Sequence, residues 1–441
     1  MIGQIRKKTD SEETLRAWII VIMGALFYCY QFILRVSPNV MGEEIMEAYM
    51  INGLAFGTLV SCYYWGYAGM QLPLGITMDR LGPRYLISAA GFLCGLASFT
   101  FSFTDSLIIA SCARFMIGAA GACGLIGTLK LGTLWLEPSR LGRVIALTMV
   151  FGTLGAGIGG VPLSQLVNAI GWRETYSIFA LVGIGIGILS FLLIRNPTPE
   201  ASHEDEAVPF LQNRHPWHDV KALAVNPQAW IIALYGMLMY IPITVIGDAW
   251  GIRFVGAAAG VSEQVAAPVS TSMFIGAAVG SPVFTTLSDY LAKRRLPMVL
   301  GSAATLAVYI AILTYQGGSV WVYYGLFGLA GFFYTAKVLT FAIICEIMPR
   351  DMSGISTAFI NMIVMLAGFF HPIVGALVDY SWSGQYENGI PDYSASDYRF
   401  ALVLLPICVL FSLLIVKFIK ETHPESGSTF REKPSVDVDV F

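Results

Sequence analysis

The chain has 441 residues, of which 56% are hydrophobic and only 12% are charged, and its formal net charge is −3. Soluble domains carry about 25% charged residues, so this composition excludes an ordinary soluble enzyme. The basic residues are spread along the chain instead of forming a patch, which argues against a nucleic-acid partner. Apolar runs separated by short polar breaks are typical of an all-α integral membrane protein, whose main solvent is the lipid bilayer.

Twelve apolar runs are predicted to cross the membrane as helices, because a spanning helix needs about 20 apolar residues and satisfies its own backbone hydrogen bonds. The runs begin near Ala17, Leu54, Tyr85, Leu107, Arg143, Tyr176, Ala229, Ala266, Pro297, Val320, Ile355 and Phe400. The first run is long, contains Arg35 and lacks a small-residue cleavage site, which favours a retained span over a signal peptide. No two of the seven cysteines form a C-x-x-C pair, so we expect no metal or other cofactor.

Lysine and arginine residues predict the orientation. If the N-terminus is cytoplasmic, 19 of the 26 basic residues lie in cytoplasmic segments, three lie outside and four lie within spans. The positive-inside rule therefore predicts cytoplasmic termini in a multi-pass protein of the inner membrane. The predicted divisions are an N-terminal tail (1–16), a first six-helix bundle (17–195), a cytoplasmic linker (196–227), a second six-helix bundle (228–420) and a C-terminal tail (421–441).

Two polar segments interrupt the series of short loops. The linker between the bundles contains the stretch from Trp217 to Lys221, which is predicted either as a short amphipathic helix on the membrane surface or as an unstructured tether. The second polar segment, from Ser381 to Tyr398, is rich in turn residues and is predicted to face outward. Both segments are therefore expected to lie outside the hydrocarbon.

A short segment occurs twice, once after span two and once after span eight. The first copy reads Gly75-Ile-Thr-Met-Asp79-Arg80-Leu-Gly82-Pro-Arg84, and the second reads Leu287-Ser288-Asp289-Tyr290-Leu-Ala-Lys293-Arg294-Arg295. Each copy places an aspartate at the cytoplasmic end of a helix, before a basic loop. Such a repeat suits a carrier in which two similar bundles rock about a site held between them.

These segments resemble the major facilitator superfamily of transporters. The first copy matches that family's signature G-x-x-x-D-R-x-G-x-R/K, while Thr285 and Ala292 replace the two glycines in the second copy. Further similarity lies in Arg114-Phe-Met-Ile-Gly118-Ala-Ala-Gly121, in Trp135-Leu-Glu-Pro138-Ser-Arg140-Leu-Gly142-Arg143 and in Gly171-Trp172-Arg173. The resemblance implies twelve helices in two pseudo-symmetric six-helix bundles. It also implies a monomer, not an enzyme, that transports a small molecule by alternating access.

The resemblance further implies roles for the repeated segments. In this family the aspartate latches the halves on the cytoplasmic side, and the span-four arginine is buried against the backbone of span one. Lys130, nearer the cytoplasmic end of span four, is either a gating or a snorkelling residue. The residues assigned to gating and structure are Gly75, Asp79, Arg80, Gly82, Arg84, Arg114, Lys130, Asp289 and Arg294.

Span five differs from that of the family's drug–proton antiporters. Those carry a Gly-Pro pair, whereas the stretch from Gly152 to Pro162 has several glycines without that dipeptide. The difference favours uptake by symport or uniport. Export of drugs or siderophores by the same fold is the alternative, and a membrane receptor or sensor is the alternative without transport.

Ionisable residues within spans are costly and are therefore candidate functional residues. Arg35 shares one helical face with Tyr28 and Gln31 in span one. The resemblance implies that an arginine near this place holds a substrate carboxylate, and snorkelling to the outer interface is the alternative. Lys337 lies near the middle of span ten, where it is predicted to bind substrate or take part in coupling, or to be paired within the protein.

Acidic groups and histidine supply the candidates for coupling. Asp248 and Asp379 lie towards the outer ends of spans seven and eleven, and either is also a candidate partner of Lys337. His371 is the one histidine in a predicted span, and it is either the carrier of a coupling proton or a core residue. Because no carboxylate is expected at mid-membrane, proton coupling through a carboxylate is less favoured.

Four cations in the spans predict a positive interior, which selects a ligand with a carboxylate or phosphate group. Hydrogen bonds and aromatic walls are expected from Tyr28, Tyr30, Tyr63, Tyr64, Tyr67, Gln71, Tyr235, Tyr240, Trp250, Tyr334 and Asn361. We therefore predict uptake of an amino acid, short peptide or organic acid, with protons as the candidate coupling ion. The predicted substrate-binding residues are Tyr28, Tyr30, Gln31, Arg35, Tyr235, Lys337 and Asn361, and the predicted coupling residues are His371, Asp248 and Asp379.

Overall fold

The protein is a bundle of long helices that follow one another in the predicted order. The computed structural model describes residues 2–137, 140–195, 216–349 and 352–422, without the side chains of 2–13, 79 and 216–218. In that part of the chain eleven helices are long and apolar enough to cross a membrane, and the bent pair Gly42–Tyr49 and Gly53–Met78 supplies a twelfth. The predicted multi-pass helical architecture is confirmed.

The first half contains spans one to six. Their helices are Ile2–Val36 (span one), Gly53–Leu81 (span two), Pro83–Phe103 (span three), Leu107–Gly121 with Cys123–Trp135 (span four), Leu141–Ile158 (span five) and Trp172–Leu193 (span six). A 3₁₀ turn, Ser37–Asn39, and the short helix Gly42–Tyr49 connect spans one and two. The helix Val161–Ile170 connects spans five and six.

The second half contains spans seven to twelve, several of which are broken by turns of another helix type. Their segments are Pro227–Val245, Ile246–Trp250 and Gly251–Ala259 (span seven), Pro268–Leu291 (span eight), Arg295–Thr314 (span nine), Val320–Tyr334, Thr335–Val338 and Leu339–Ile347 (span ten), Ser353–Met365, Leu366–Phe369 and Phe370–Ser381 (span eleven), and Ala395–Leu402, Leu404–Ile415 and Val416–Phe418 (span twelve). A four-residue helix, Glu263–Ala266, precedes span eight.

The two polar segments take definite structures where they are described. Helix Pro216–Val225 occupies the second part of the linker, so the helical alternative is the correct one there. The outward segment forms a hairpin in which Tyr386–Glu387 pairs with Ile390–Pro391. Its two-residue turn is Asn388-Gly389, with φ of 49° and 84°. Asn-Gly is the preferred pair for such a turn because both positions need positive φ.

Several hydrogen bonds join the two halves at one end of the bundle. This end holds Ser37, Gly53 and Ser381, and we call it the outer end, following the predicted orientation. Asn39 of the first half donates through Nδ2 to the carbonyls of Ile246 and Gly247, at 3.0 and 2.8 Å, and accepts from the N–H of Ile252. These bonds connect the first half to the π turn of span seven. The outer end is therefore closed in this structure.

Candidate functional site

Three spans of the second half leave α-helical geometry where they face the first half. Span seven has the π turn Ile246–Trp250, span ten has the 3₁₀ turn Thr335–Val338, and span eleven has the 3₁₀ turn Leu366–Phe369. Such turns are frequent at functional sites, and within a membrane irregular backbone is tolerated where it is buried in protein. The turns bring polar side chains of the second half to the interface, including Asp248 and Lys337.

Arg35 and Asp248 form a buried ion pair between the halves. The guanidinium donates from Nε and Nη2 to Oδ2 of Asp248, at 3.0 and 2.9 Å. The side chains are 4% and 0% exposed, so Arg35 does not snorkel to the interface, and that alternative is wrong. The Tyr240 hydroxyl also bonds Nη2, and Tyr64 accepts from Nε at 3.0 Å. Arg35 is thus held by one carboxylate and two phenols.

Asp248 concentrates its hydrogen bonds on one of its two carboxylate oxygens. Oδ2 accepts from Arg35, from the hydroxyl of Tyr64 and from Oγ1 of Thr244 at 2.9 Å. Oδ1 is buried and has no hydrogen-bond partner among the described residues. Thr244 also lies 3.3 Å from Nε2 of His371. We call Arg35, Tyr64, Thr244, Asp248 and His371, together with Tyr240 and Lys337, the central cluster.

Lys337 contributes a second buried cation to the central cluster. Its Nζ lies 3.9 Å from the centroid of the Tyr240 ring and 5.7 Å from that of Tyr334, while the side chain is 7% exposed. Its ammonium has no ion-pair partner among the described residues, so neither predicted carboxylate pairs with it. Arg35 lies over the same Tyr240 ring at 5.4 Å, so the two charged groups are at most about 9 Å apart.

A second group of buried polar residues lies between the halves and is centred on Tyr67. Tyr67 interacts with the side chains of Gln71 on its own span and Asn361 on span eleven. Both amide side chains are buried, at 1% and 8% exposure. Polar side chains of spans two and eleven therefore meet at this place between the halves.

Five of the seven residues predicted to bind substrate lie near one another, and two do not. The positions of Arg35, Lys337 and Asn361 between the halves are given above. Gln31 accepts a hydrogen bond from the Tyr63 hydroxyl, and the ring of Tyr28 packs edge-on against Phe32. Tyr30 and Tyr235 lie elsewhere in the structure. Tyr30 donates to the carbonyl of Phe179 at 2.7 Å inside the first half, and Tyr235 bonds to Met298 and Ser302 of span nine.

Asp379 lies at the outer end and caps span two of the other half. Its carboxylate accepts from the N–H groups of Gly53 and Leu54, at 2.9 and 2.8 Å, and from the Tyr393 hydroxyl. A carboxylate is favoured there because the first N–H groups of a helix are unsatisfied and the helix dipole is positive at that end. Asp379 therefore belongs to the closure of the outer end, whereas Asp248 and His371 belong to the central cluster.

Arg114 holds spans four and one together within the first half. It is fully buried and donates from Nη1 to the Leu34 carbonyl at 2.7 Å, which is the contact that the resemblance implies. Its guanidinium also lies 5.4 Å from the Tyr63 ring.

We expect Arg114→Leu to lower the Tm of the purified protein in detergent, since a charged hydrogen bond contributes about 1.5–3 kcal/mol. Arg140→Leu is the matched control because Arg140 is half-buried at the surface and reaches Glu137 only at 3.8 Å. Equal Tm values for the two variants would contradict a structural role for Arg114.

The first copy of the repeated segment is described only in part. The side chain of Asp79 lies outside the described residues, so its predicted latch remains a prediction. Arg84 bonds to the carbonyl of Phe191 at 3.1 Å and lies over its ring, while Arg80 is exposed. Gly82 ends span two with φ of 77°. Gly75 lies along that span, and Lys130 is half-buried on span four.

The second copy forms an ion-pair group within the second half. Arg294 pairs with Asp289 at 2.8 Å and with Glu346 of span ten at 2.6 Å. The Glu421 carboxylate also accepts from the backbone N–H of Arg294. Asp289 was among the predicted residues, but Glu346 and Glu421 were not. Both are distant from Arg294 in sequence and belong to no local motif.

A separate cavity of about 290 Å³ lies at the outer end and is lined by both halves. Its charged lining residues are Glu43, Arg253, Glu263, Glu387 and Asp392. Burial raises the pKa of Glu43, and the neighbouring charge of Glu47 adds to the effect. Four carboxylates against one arginine make this cavity unsuitable for an anion, in contrast to the central cluster.

Two six-helix halves that enclose a buried charged cluster define a transporter of the secondary-carrier type. The family model of the major facilitator superfamily matches residues 20–372 and 236–437. The chain belongs to this superfamily.

Individual relatives are distant but match over most of their length. The chain is 24% identical over 392 residues to a probable sulfoacetate transporter, SauU, of Cupriavidus necator, covering 83% of this chain and 88% of that protein. It is 23% identical over 401 residues to a probable galactarate/D-glucarate transporter, GarP, of Escherichia coli, covering 84% and 88%. A membrane sensor protein, UhpC, of Salmonella typhimurium is 24% identical over 405 residues, covering 86% and 90%.

The same fold occurs in a solved structure. A bacterial homologue of the human lysosomal transporter Spinster, in an inward-facing and unoccupied conformation, superposes with a TM-score of 0.78. The two chains are 16% identical, and the match covers 92% of this chain and 97% of that one. This likeness supports the fold alone.

Proposed function

We propose that the protein takes up a small organic anion across the inner membrane by alternating access. The observation that carries this proposal is the charge of the central cluster. Among the described residues it contains two buried cations, Arg35 and Lys337, and one carboxylate, Asp248. A buried charge without a partner is costly, and an anionic ligand removes that cost.

The arrangement of donors supports a ligand with a carboxylate and further polar groups. Lys337 offers an ammonium close to Arg35, and the amides of Gln71 and Asn361 lie beside Tyr67 in the same interface. The ammonium and the amides can donate hydrogen bonds, whereas carboxylates, hydroxyls and sulfonates supply acceptors. Residues from both halves take part, as alternating access requires.

The names of two relatives support the same class of substrate. SauU and GarP are named as probable transporters of sulfoacetate and of galactarate or D-glucarate, which are organic acids. An exporter of drugs or siderophores is less favoured, because span five lacks the Gly-Pro pair of drug antiporters. We further propose that the protein acts as a monomer with cytoplasmic termini, as a symporter or uniporter, and that Asp248 and His371 are the candidates for proton coupling.

A sensor without transport is the second candidate, because the relative UhpC is named a membrane sensor protein. A sensor and a carrier both bind the ligand, so binding does not separate them. Flux of a bound anion into proteoliposomes distinguishes the two, since it is expected of a carrier and absent from a sensor.

The proposal is tested by ligand-induced stabilisation of the purified protein. The panel consists of sulfoacetate, galactarate, D-glucarate, several amino acids and dipeptides, and the neutral amides of the acids. We expect at least one organic acid to raise the Tm and its amide to leave it unchanged, because a ligand at 100 times its Kd adds about 2.7 kcal/mol of stability. Stabilisation by neutral amides and acids alike would contradict the proposed anion selectivity.

A further inference from the structure

The ion pair of Arg35 and Asp248 connects the two halves of the protein. Span one carries Arg35 and span seven carries Asp248, 213 residues later, so each half supplies one partner. The pair lies beneath the closed outer end, where Asn39 and Asp379 also bond to the opposite half. In an alternating-access cycle the halves separate at this end, and Asp248 then moves away from Arg35.

In the closed arrangement Asp248 occupies one edge of the Arg35 guanidinium. Its Nε and Nη2 both donate to Asp248. The rings of Phe32, Tyr64 and Tyr240 surround the guanidinium, with centroids 5.0, 5.3 and 5.4 Å from Cζ. A substrate carboxylate that binds the Nε and Nη2 edge therefore competes with the Asp248 carboxylate for the same N–H groups.

We infer that Asp248 expels the substrate: closing the outer end carries its carboxylate onto Arg35, where it takes the place of the carboxylate of the bound anion. This inference rests on the proposed function. The substrate first binds Arg35 when the outer end is open and Asp248 is distant. After closure the anion loses its contact with Arg35 and keeps that with Lys337, so its affinity falls on the side from which it leaves.

The geometry also explains why the exchange is energetically feasible. A buried arginine that loses its counter-ion is strongly destabilised. Asp248 supplies a new counter-ion as the substrate departs, and Tyr64 and Thr244 hold the incoming carboxylate in place. A ligand shifts a conformational equilibrium only by its difference in affinity for the two states, so weak binding in the closed state makes release favourable.

The test uses Asp248→Asn in the full-length protein. Asparagine has the same size and keeps bonds to Tyr64 and Thr244, but it does not neutralise Arg35. The probe is whichever acid of the panel stabilises the wild-type protein most. We expect this acid to bind the variant at least tenfold more tightly in detergent solution, while its turnover in proteoliposomes falls at least tenfold.

Thr244→Val provides a second, milder variant. It removes one of the bonds that hold Asp248 and leaves the ion pair, so we expect affinity to rise less than in Asp248→Asn. Asp105→Asn is the matched control, because Asp105 also pairs with an arginine, Arg173, at 2.8 Å, but on the exposed surface of the first half. Its affinity and turnover are expected to equal those of the wild type.

Three results bear on the inference differently. Tighter binding with slower turnover in Asp248→Asn supports it. Unchanged or weaker binding of the acid by folded Asp248→Asn overturns it and leaves the proposed function intact. If no acid of the panel binds the wild-type protein, the proposed function fails, and the inference that depends on it fails as well.

Discussion

Lys337→Met is expected to abolish uptake of the organic anion without lowering the stability of the protein. Lys337 has no ion-pair partner in the described part of the chain, so its buried ammonium is a cost to the empty carrier. Methionine fills a similar volume and removes that cost, so the Tm of the ligand-free variant should equal or exceed that of the wild type. Loss of a buried charged contact with the substrate costs about 2–5 kcal/mol, which corresponds to roughly a 30-fold or larger fall in kcat/KM.

Initial uptake rates in proteoliposomes and the Tm in detergent together check this prediction. Lys337→Arg keeps the positive charge and should retain part of the activity. Lys417→Met is the control, since Lys417 is exposed at the end of span twelve that lies opposite the outer end. A Lys337→Met variant with full uptake would show that the cation at this position does not bind the substrate.

Gly57→Ala is expected to keep the outer end from closing and thereby to stop transport. A Cβ atom at Gly57 would lie 2.3 Å from the backbone oxygen of His371 in the other half, which is too close for any carbon atom. Because alanine is about 1 kcal/mol better than glycine in a helix, the helix itself should not be weakened. We expect uptake to fall at least about tenfold, since the cycle requires the outer end to close.

Hydrogen–deuterium exchange reports the state of the outer end in this variant. The N–H groups of Gly53 and Leu54 bond to Asp379 when the end is closed, so their exchange should accelerate in Gly57→Ala. Gly69→Ala is the matched control on the same helix, where no atom lies within 4 Å of the added carbon. Normal exchange and normal uptake in Gly57→Ala would argue that the close contact is not needed for the cycle.

Helix packing explains why some of the predicted site residues lie together and others do not. Helical spacing placed Tyr28, Gln31 and Arg35 on one face, and they do face inward. Tyr30 is two positions from Tyr28 and therefore points to another neighbour, span six, where Phe179 accepts its hydrogen bond. Periodicity gives the relative directions of side chains on one helix, but it does not say which helix lies opposite each direction.

The Asp248 carboxylate illustrates the same limit for charge. Its position along the chain suggested the outer end of span seven, away from the centre of the membrane. In the structure it lies in the π turn Ile246–Trp250 and pairs with Arg35 of the other half, a partner that no local pattern indicates. Thr244, four residues before Asp248, supports the same carboxylate, and the i, i+4 spacing of these two polar residues was the available signal.

The sequence by itself determined the membrane environment, the helical spans, the repeat and the superfamily, because hydrocarbon demands long apolar helices and the repeated motifs are local. It also predicted the buried contact of Arg114 with span one. Tertiary structure alone decided that Arg35 is paired with Asp248, that Lys337 is left without a carboxylate partner, and that Asp379 serves the outer end. These facts depend on how two halves meet across more than 200 residues of chain, and such contacts leave no local pattern.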